Sequence, residues 1–290
     1  EDAPADGQEC YYPEVVVPKL PDKLDFAGEK VPLDYFDVSE SLQREMLVTL
    51  NMHASTMRTL LNTRHYFAII EPILEANRIP SDFKYLCMAE SGLNPEIISS
   101  AGAGGLWQIM KGTGKEYGLD VGSEVDERFH IEKSTEVACK YLQEAYDQFG
   151  SWTLAAASYN AGKEGIRRRV AKQATESYYD TYMPQETLRY IFRILSFKAI
   201  TDNPQLYGYM INEEDYYLPM TNWYEEEVSA AKVDWSVFAA SHGTNYKMLR
   251  QLNPWIRDYD FNNRNLKKYT VKVPGKKFRD GNLNENEGKQ

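Results

Sequence analysis

A mainly α chain in two parts is what the sequence predicts: a helical domain over 34–211, then a small α+β module over 212–275. Three observations carry this. From residue 34 to about 208, apolar residues recur at helical spacing between Gly and Pro punctuation, and no period-2 run of any length interrupts them. Beyond Asn203-Pro204 a tyrosine-rich connector (Tyr207, Tyr209, Tyr216, Tyr217) leads into a short strand–helix–helix–strand order. A length of 290 residues at 42% hydrophobic content is enough to build a sizeable core, which excludes a disordered chain.

Residues 1–33 are rich in acids and prolines (Pro4, Pro13, Pro18, Pro21, Pro32) and lack a helical period, so an extended N-terminal arm is expected. Helices are expected over 41–62, 67–77, 83–91, 135–149, 153–160 and 186–200. In the module, 223–228 reads as a strand, 235–241 and 246–252 as helices closed by Gly243 and by Asn253-Pro254, and 269–274 as an alternating strand ending at Pro274 (βααβ). A polar tail, 276–290, follows. Since the apolar stripes of the helical part lie before residue 212, that part is expected to fold without the module.

Charge and composition exclude several functions. Lys and Arg number 33 against 43 Asp and Glu, and a net charge of −10 repels a polyphosphate, so nucleic acid is not an expected partner. The longest apolar runs fall far short of the roughly 20 residues that span a bilayer, and mean hydropathy is −0.57. Cys10, Cys87 and Cys139 form no C-x-x-C, so neither a zinc cluster nor a disulfide framework is indicated and no metal is expected. The glycine-rich stretch at 102–105 lacks G-x-G-x-x-G and a phosphate-loop lysine, so no nucleotide cofactor is expected. Tyrosine (21) outnumbers phenylalanine (11), which suits stacking on hydroxyl-rich ligands as well as ordinary packing. The opening Glu-Asp-Ala-Pro has no basic or apolar leader region and fits either a cytosolic protein or one whose signal was removed.

Chemistry concentrates around Glu90. Pro80-Ser81-Asp82 reads as a helix start, and Phe83, Leu86, Cys87 and Glu90 follow at i, i+3, i+4 and i+7, which puts a carboxyl on an apolar face. Burial there disfavours the ionised form, and the partial negative charge of the helix end at Gly92 acts in the same direction. A carboxyl protonated near neutral pH is suited to general-acid work. The same placement also fits a structural glutamate held by Arg or backbone donors. Between Phe83 and Lys115 the other acid is Glu96, beyond the Gly92 break, so the paired carboxylates of an ordinary glycosidase are not visible locally.

Taken together, Glu90-Ser91, Gly105-Leu106-Trp107-Gln108-Ile109-Met110 and Ser158-Tyr159-Asn160-Ala161-Gly162 resemble, in order and spacing, the signature blocks of the lytic transglycosylases with a goose-type-lysozyme-like fold. The resemblance continues through Glu116-Tyr117-Gly118-Leu119, Asp126-Glu127-Arg128 and the segment from Met183 to Tyr190, which is similar to the Leu-Pro-x-Glu-Thr-x-x-Tyr block of the membrane-bound branch. Met183 and Ser158 are mild departures from the usual leucine and alanine. The resemblance implies a lysozyme-like helical domain whose groove binds peptidoglycan glycan strands, with Glu90 as the single acid/base and Ser91 beside it. Gln108, Met110, Tyr159 and Asn160 would line the groove, Tyr159 helping to hold Glu90, and Glu186 and Tyr190 would approach the same cleft.

It further implies that Glu90 protonates the glycosidic oxygen, that the substrate's N-acetyl group stabilises the anomeric carbon, and that the muramyl C6 hydroxyl attacks C1 to leave a 1,6-anhydro end. A hydrolytic muramidase and a non-catalytic wall-binding scaffold remain the alternatives. The C-terminal part resembles a LysM glycan-binding module, with Ala231-Lys232-Val233-Asp234-Trp235 where that family has Gly-Asp-Thr-Leu. Its cations Arg264, Lys267, Lys268, Lys272, Lys276, Lys277 and Arg279 suit either anionic wall or lipid headgroups or a solvated basic face. A wall substrate implies a periplasmic or envelope location, with a membrane anchor in a removed N-terminal signal as one arrangement.

Overall fold

The computed structural model describes residues 16–280; the first half of the expected arm, Cys10 and the end of the expected tail lie outside the described residues. The part of the arm that is described is not free. A tight hairpin of β1 (Asp25–Phe26) and β2 (Glu29–Lys30) turns through Ala27 and Gly28, both at positive φ. It drives Phe26 and Val31 into the helical core. The Glu29 carboxylate accepts hydrogen bonds from the backbone NH groups of Trp152 and Thr153 and from the hydroxyls of Ser151 and Thr153. An anion at the exposed NH groups of a helix start is favourable, so this acid fastens the hairpin to a helix far away in sequence.

The helical body comprises α1 (Phe36–Asn51), α2 (His53–Leu61), α3 (Thr63–Ala76), α4 (Phe83–Ser91), α5 (Lys111–Glu116), α6 (Ile131–Phe149), α7 (Trp152–Ala161), α8 (Lys163–Gln173) and α9 (Gln185–Asp202). The helix expected over 41–62 is broken at Met52 without proline or glycine. There the Thr56 hydroxyl takes the Thr49 carbonyl at 2.6 Å, supplying the partner that the break removes. Two helices escape sequence patterning. In α8 the one buried residue is Ile166, which leaves no apolar stripe to read, and α5 is short and carries two glycines.

Helix α9 is the centre of the body, packing on α1, α4 and α7. Its buried stripe includes Tyr190, Ile191, Ile194, Leu195 and Ile200. On α1, the wholly buried Glu45 is neutralised by two hydrogen bonds from Arg189 of α9, at 2.7 and 3.3 Å. These restraints hold α9 rigidly beside α4, the helix that ends in Glu90.

In the C-terminal module β3 (Trp223–Val228) is followed by β4 (Lys232–Asp234), α10 (Trp235–Ser241), α11 (Tyr246–Leu252), β5 (Asp260–Asn262) and β6 (Tyr269–Pro274). Strands β3 and β6 pair antiparallel from Trp223↔Pro274 to Val228↔Tyr269, with the two helices between them in sequence, as expected. The pair β4–β5 is additional and too short to leave a periodicity. Trp235, Leu249, Trp255, Phe261 and Val271 fill the module's core, but Val125 and Phe129 of the helical body belong to that core as well. The helical body therefore contributes side chains to the module's core and exposes them if the module is removed. The cationic run is also partly spent inside the molecule: Lys267 pairs with Asp120, Lys272 with Glu132 and Lys268 with Glu227. Among the described residues no helix is long and apolar enough to cross a membrane.

Candidate active site

Glu90 sits in the last turn of α4, whose Phe83, Leu86 and Cys87 are wholly buried on the same stripe. Gly92 closes the helix in the left-handed conformation, at φ +56. Burial raises the Glu90 pKa and the exposed Glu186 pushes the same way, leaving it at about 7 rather than 4.5 once all its neighbours have acted. A hydrogen bond from Tyr190 and the charge of Arg193 pull it back without undoing the effect. Glu186, Tyr190 and Arg193 occupy i, i+4 and i+7 of α9, so one face of that helix carries the three groups that act on the carboxyl. Arg193 was not singled out from the sequence, although this spacing from Glu186 is the signal that finds it.

The holder of Glu90 is Tyr190, whose hydroxyl bonds the carboxyl Oε1. Burial pushes the Tyr190 phenol well above its usual range, so it donates at any working pH. The expectation for Tyr159 is corrected here: its hydroxyl donates to the Trp107 carbonyl at 2.8 Å, not to Glu90. Tyr190 is itself buried, meeting the site through its hydroxyl on Glu90. Ser91 is buried too, its hydroxyl donating to the Cys87 carbonyl one turn back at 3.0 Å, which removes it from the groove surface. In each case the family block locates the residue, but only the packing of α4 against α9 and α7 decides where its hydroxyl goes.

The glycine-rich segment folds back on itself, Gly104 and Ile109 exchanging backbone hydrogen bonds at 3.0 and 3.1 Å while the Gly105 NH donates to the Ile97 carbonyl. Gly105 has φ +78, and a Cβ there would lie 2.1 Å from the Arg128 carbonyl oxygen, so only glycine fits. The turn delivers Gln108 at φ +46, with its amide Nε2 donating to the carbonyls of Gly105 (2.9 Å) and Ile97 (3.2 Å). Trp107 points inward, its indole NH donating to the Thr135 hydroxyl at 2.8 Å. Gln108, the half-exposed Met110, Tyr159 and Asn160 then line a pocket of about 250 Å³ together with Tyr141, which sequence reasoning missed. Tyr141 stands edge-on to Tyr159, its hydroxyl donating to the Ser158 carbonyl at 2.7 Å. Asn160 is oriented by the Thr187 hydroxyl, which donates to its Oδ1 at 3.0 Å.

Tyr159 thus joins the two halves of the site: it lines the pocket, and burial, together with the charge of Glu90, pushes the Tyr159 phenol well above its usual range. The arrangement is a half-buried acid, protonated near neutrality and oriented by a permanent donor, beside a pocket lined with aromatic rings and amides. Such a site can donate a proton to an ether oxygen of a polar, ring-containing ligand and take one back.

Comparison with known proteins matches two stretches of the chain. Residues 67–181 match the transglycosylase SLT domain, and residues 224–277 match the C-terminal LysM-like domain of soluble lytic transglycosylases. The chain carries an SLT transglycosylase domain followed by a LysM-like domain and is homologous to the lytic murein transglycosylases. Membrane-bound lytic murein transglycosylase D of Escherichia coli is 28% identical over 183 residues, covering 61% of this chain and 40% of that protein. The soluble lytic murein transglycosylase of the same organism is 26% identical over 168 residues, covering 54% of this chain and 25% of its own length. The solved 70 kDa soluble lytic transglycosylase of E. coli aligns over 61% of this chain and 33% of its own, at 22% identity and a TM-score of 0.42. The chain thus spans less than half the length of these relatives.

Proposed function

We propose that this protein is a peptidoglycan lytic transglycosylase that cleaves the β-1,4 bond between MurNAc and GlcNAc and leaves 1,6-anhydroMurNAc ends. The observation that carries the reading is Glu90, a carboxyl held at a pKa of about 7 by burial and gripped by Tyr190. Protonated Glu90 gives its proton to the glycosidic oxygen as the C1–O bond breaks, and the oxygen of the substrate's own N-acetyl group supports the positive C1. The resulting carboxylate, stabilised by Tyr190 and Arg193, takes the proton of the muramyl C6 hydroxyl while O6 bonds to C1. Glu90 ends the cycle protonated, and no water is consumed. An attacking group already attached to the ring has a high effective concentration, which favours it over solvent. Gln108, Met110, Tyr159 and Asn160 bind the sugars, and an envelope location follows from the substrate.

A second reading is favoured by one observation. Glu186 is an exposed acid whose charge reaches Glu90; as a water-activating base it would make the protein a muramidase. Digestion of purified sacculi in heavy-oxygen water separates the two. The expected muropeptides are lighter by one water than muramidase products and carry no heavy oxygen at the muramyl end. Labelled reducing termini as the primary product would refute the transglycosylase reading, and sacculi bound without cleavage would favour a scaffold.

A further inference from the structure

The block Asp126-Glu127-Arg128 has no part in the chemistry above, yet its arginine is 2% exposed and hydrogen-bonded on all three guanidinium nitrogens. Its Nε and Nη2 donate to the Asp126 carboxylate at 3.0 and 2.7 Å, and its Nη1 donates to the carbonyls of Gly102 (2.8 Å) and Ile109 (3.0 Å). Those two carbonyls are the feet of the turn that delivers Gln108. Gly105 packs so closely on the Arg128 carbonyl oxygen, and Gly104 on the Phe129 ring, that a Cβ at either would clash. On its other side the same segment belongs to the C-terminal module. Phe129 is buried in the module's core under the Arg257 guanidinium, 4.1 Å from its ring, and the Asp126 NH donates to the Trp255 carbonyl at 2.9 Å.

We propose that Arg128 is a positioning residue for the groove and that the LysM-like module, by clamping the 126–129 segment, holds the Gln108 turn in its binding geometry. The module then acts on catalysis by contact through the protein, independently of any glycan it binds itself. The inference rests on the proposed reading of the groove, but its structural arm does not: failure of the wild type to cleave glycan would count against that reading, whereas coupling of the turn to the module is measured without substrate.

The test reverses two of the charges that dock the module, K267E with K272E, which sets like charges against Asp120 and Glu132. Amide exchange at Gly105, Gln108 and Ile109 should rise, and kcat/KM on short soluble glycan chains should fall about 10- to 100-fold, the scale expected when a binding group is displaced by about 1 Å. The loss should appear mainly in KM, and the basic limb of the pH profile, set by Glu90, should stay in place. A merely destabilised protein would instead lose active molecules at unchanged KM. Adding D120K and E132K, which re-forms the pairs in reverse, should recover protection and KM. A released module with wild-type protection of the turn and wild-type KM overturns the proposal, as does a raised KM with the turn still protected. Should the reversed variant fail to fold, native-state exchange of the wild type in urea decides. The Gly105 and Ile109 amides should open together with that of Asp126; retention of their protection after Asp126 has exchanged overturns the proposal.

Discussion

Replacing Tyr190 with phenylalanine removes one hydroxyl from a fully buried position and leaves the Glu90 Oε1 without its donor. A hydrogen bond to a charged group contributes about 1.5–3 kcal/mol, and one pKa unit corresponds to about 1.4 kcal/mol, so the variant's Glu90 should titrate about one to two units higher. The sign follows from the bond's preference for the carboxylate: in the wild type it offsets part of the rise that burial causes, and the net value is about 7. Turnover needs the protonated acid at the start. The wild-type rate should therefore be full on the acid side and fall as pH rises through about 7, with the limb of Tyr190→Phe displaced upward. On the acid plateau both proteins are protonated, so the remaining difference reports orientation and acid strength, and about tenfold is expected for each 1.4 kcal/mol lost in the transition state. The assay is the pH dependence of kcat on soluble glycan strands, paired with carbon NMR titration of labelled glutamate. A limb that stays in place or moves downward would refute the assignment of Tyr190 as the group that stabilises the Glu90 carboxylate.

Glu90→Gln should fold and lose turnover by at least about 100- to 10,000-fold, the usual contribution of general acid–base catalysis, as measured by muropeptide release. Because the native pKa of Glu90 is raised, the folded state holds a proton that the unfolded state releases between pH 4.5 and about 7, and wild-type stability falls through that window. The glutamine variant lacks this loss, so its stability advantage in urea denaturation should grow by about 2–3 kcal/mol from pH 4.5 to pH 8. Tyr159→Phe breaks the bond to the Trp107 carbonyl rather than one to Glu90, so KM should rise several-fold while the pH limb stays put; the opposite split would return Tyr159 to the acid. Gly105→Ala forces a Cβ against the Arg128 carbonyl at positive φ and should cost more than about 2 kcal/mol in denaturant melts. A chain ending at residue 211 uncovers Val125 and Phe129, each worth about 1.5–3 kcal/mol of burial, so it should melt earlier and fail on soluble glycan; wild-type stability would restore the view of two independent parts.

The placement of Glu90 on an apolar helix face and the fold class were legible because both are local. A 3.6-residue period places Glu90 on the stripe of Phe83, Leu86 and Cys87 whatever α4 packs against. Elements without such a period were not legible: α8 buries one side chain, and the break at Met52 is made by a threonine hydroxyl that the sequence does not single out.

What only the tertiary structure decided is the partner of each hydroxyl and the extent of each core. Tyr159 and Tyr190 are equivalent as residue types, both phenols in family blocks, yet one reaches the Trp107 carbonyl and the other reaches Glu90. That choice depends on how α7 and α9 cross α4, which is set by side chains spread over the whole body. In the same way Val125 and Phe129 precede the module by about a hundred residues of chain, too far for any local pattern to reveal whose core they complete. The sequence by itself determines which groups face inward, since burial of apolar surface is read from spacing; direction-dependent hydrogen bonds and contacts between distant segments exist only once the helices are placed.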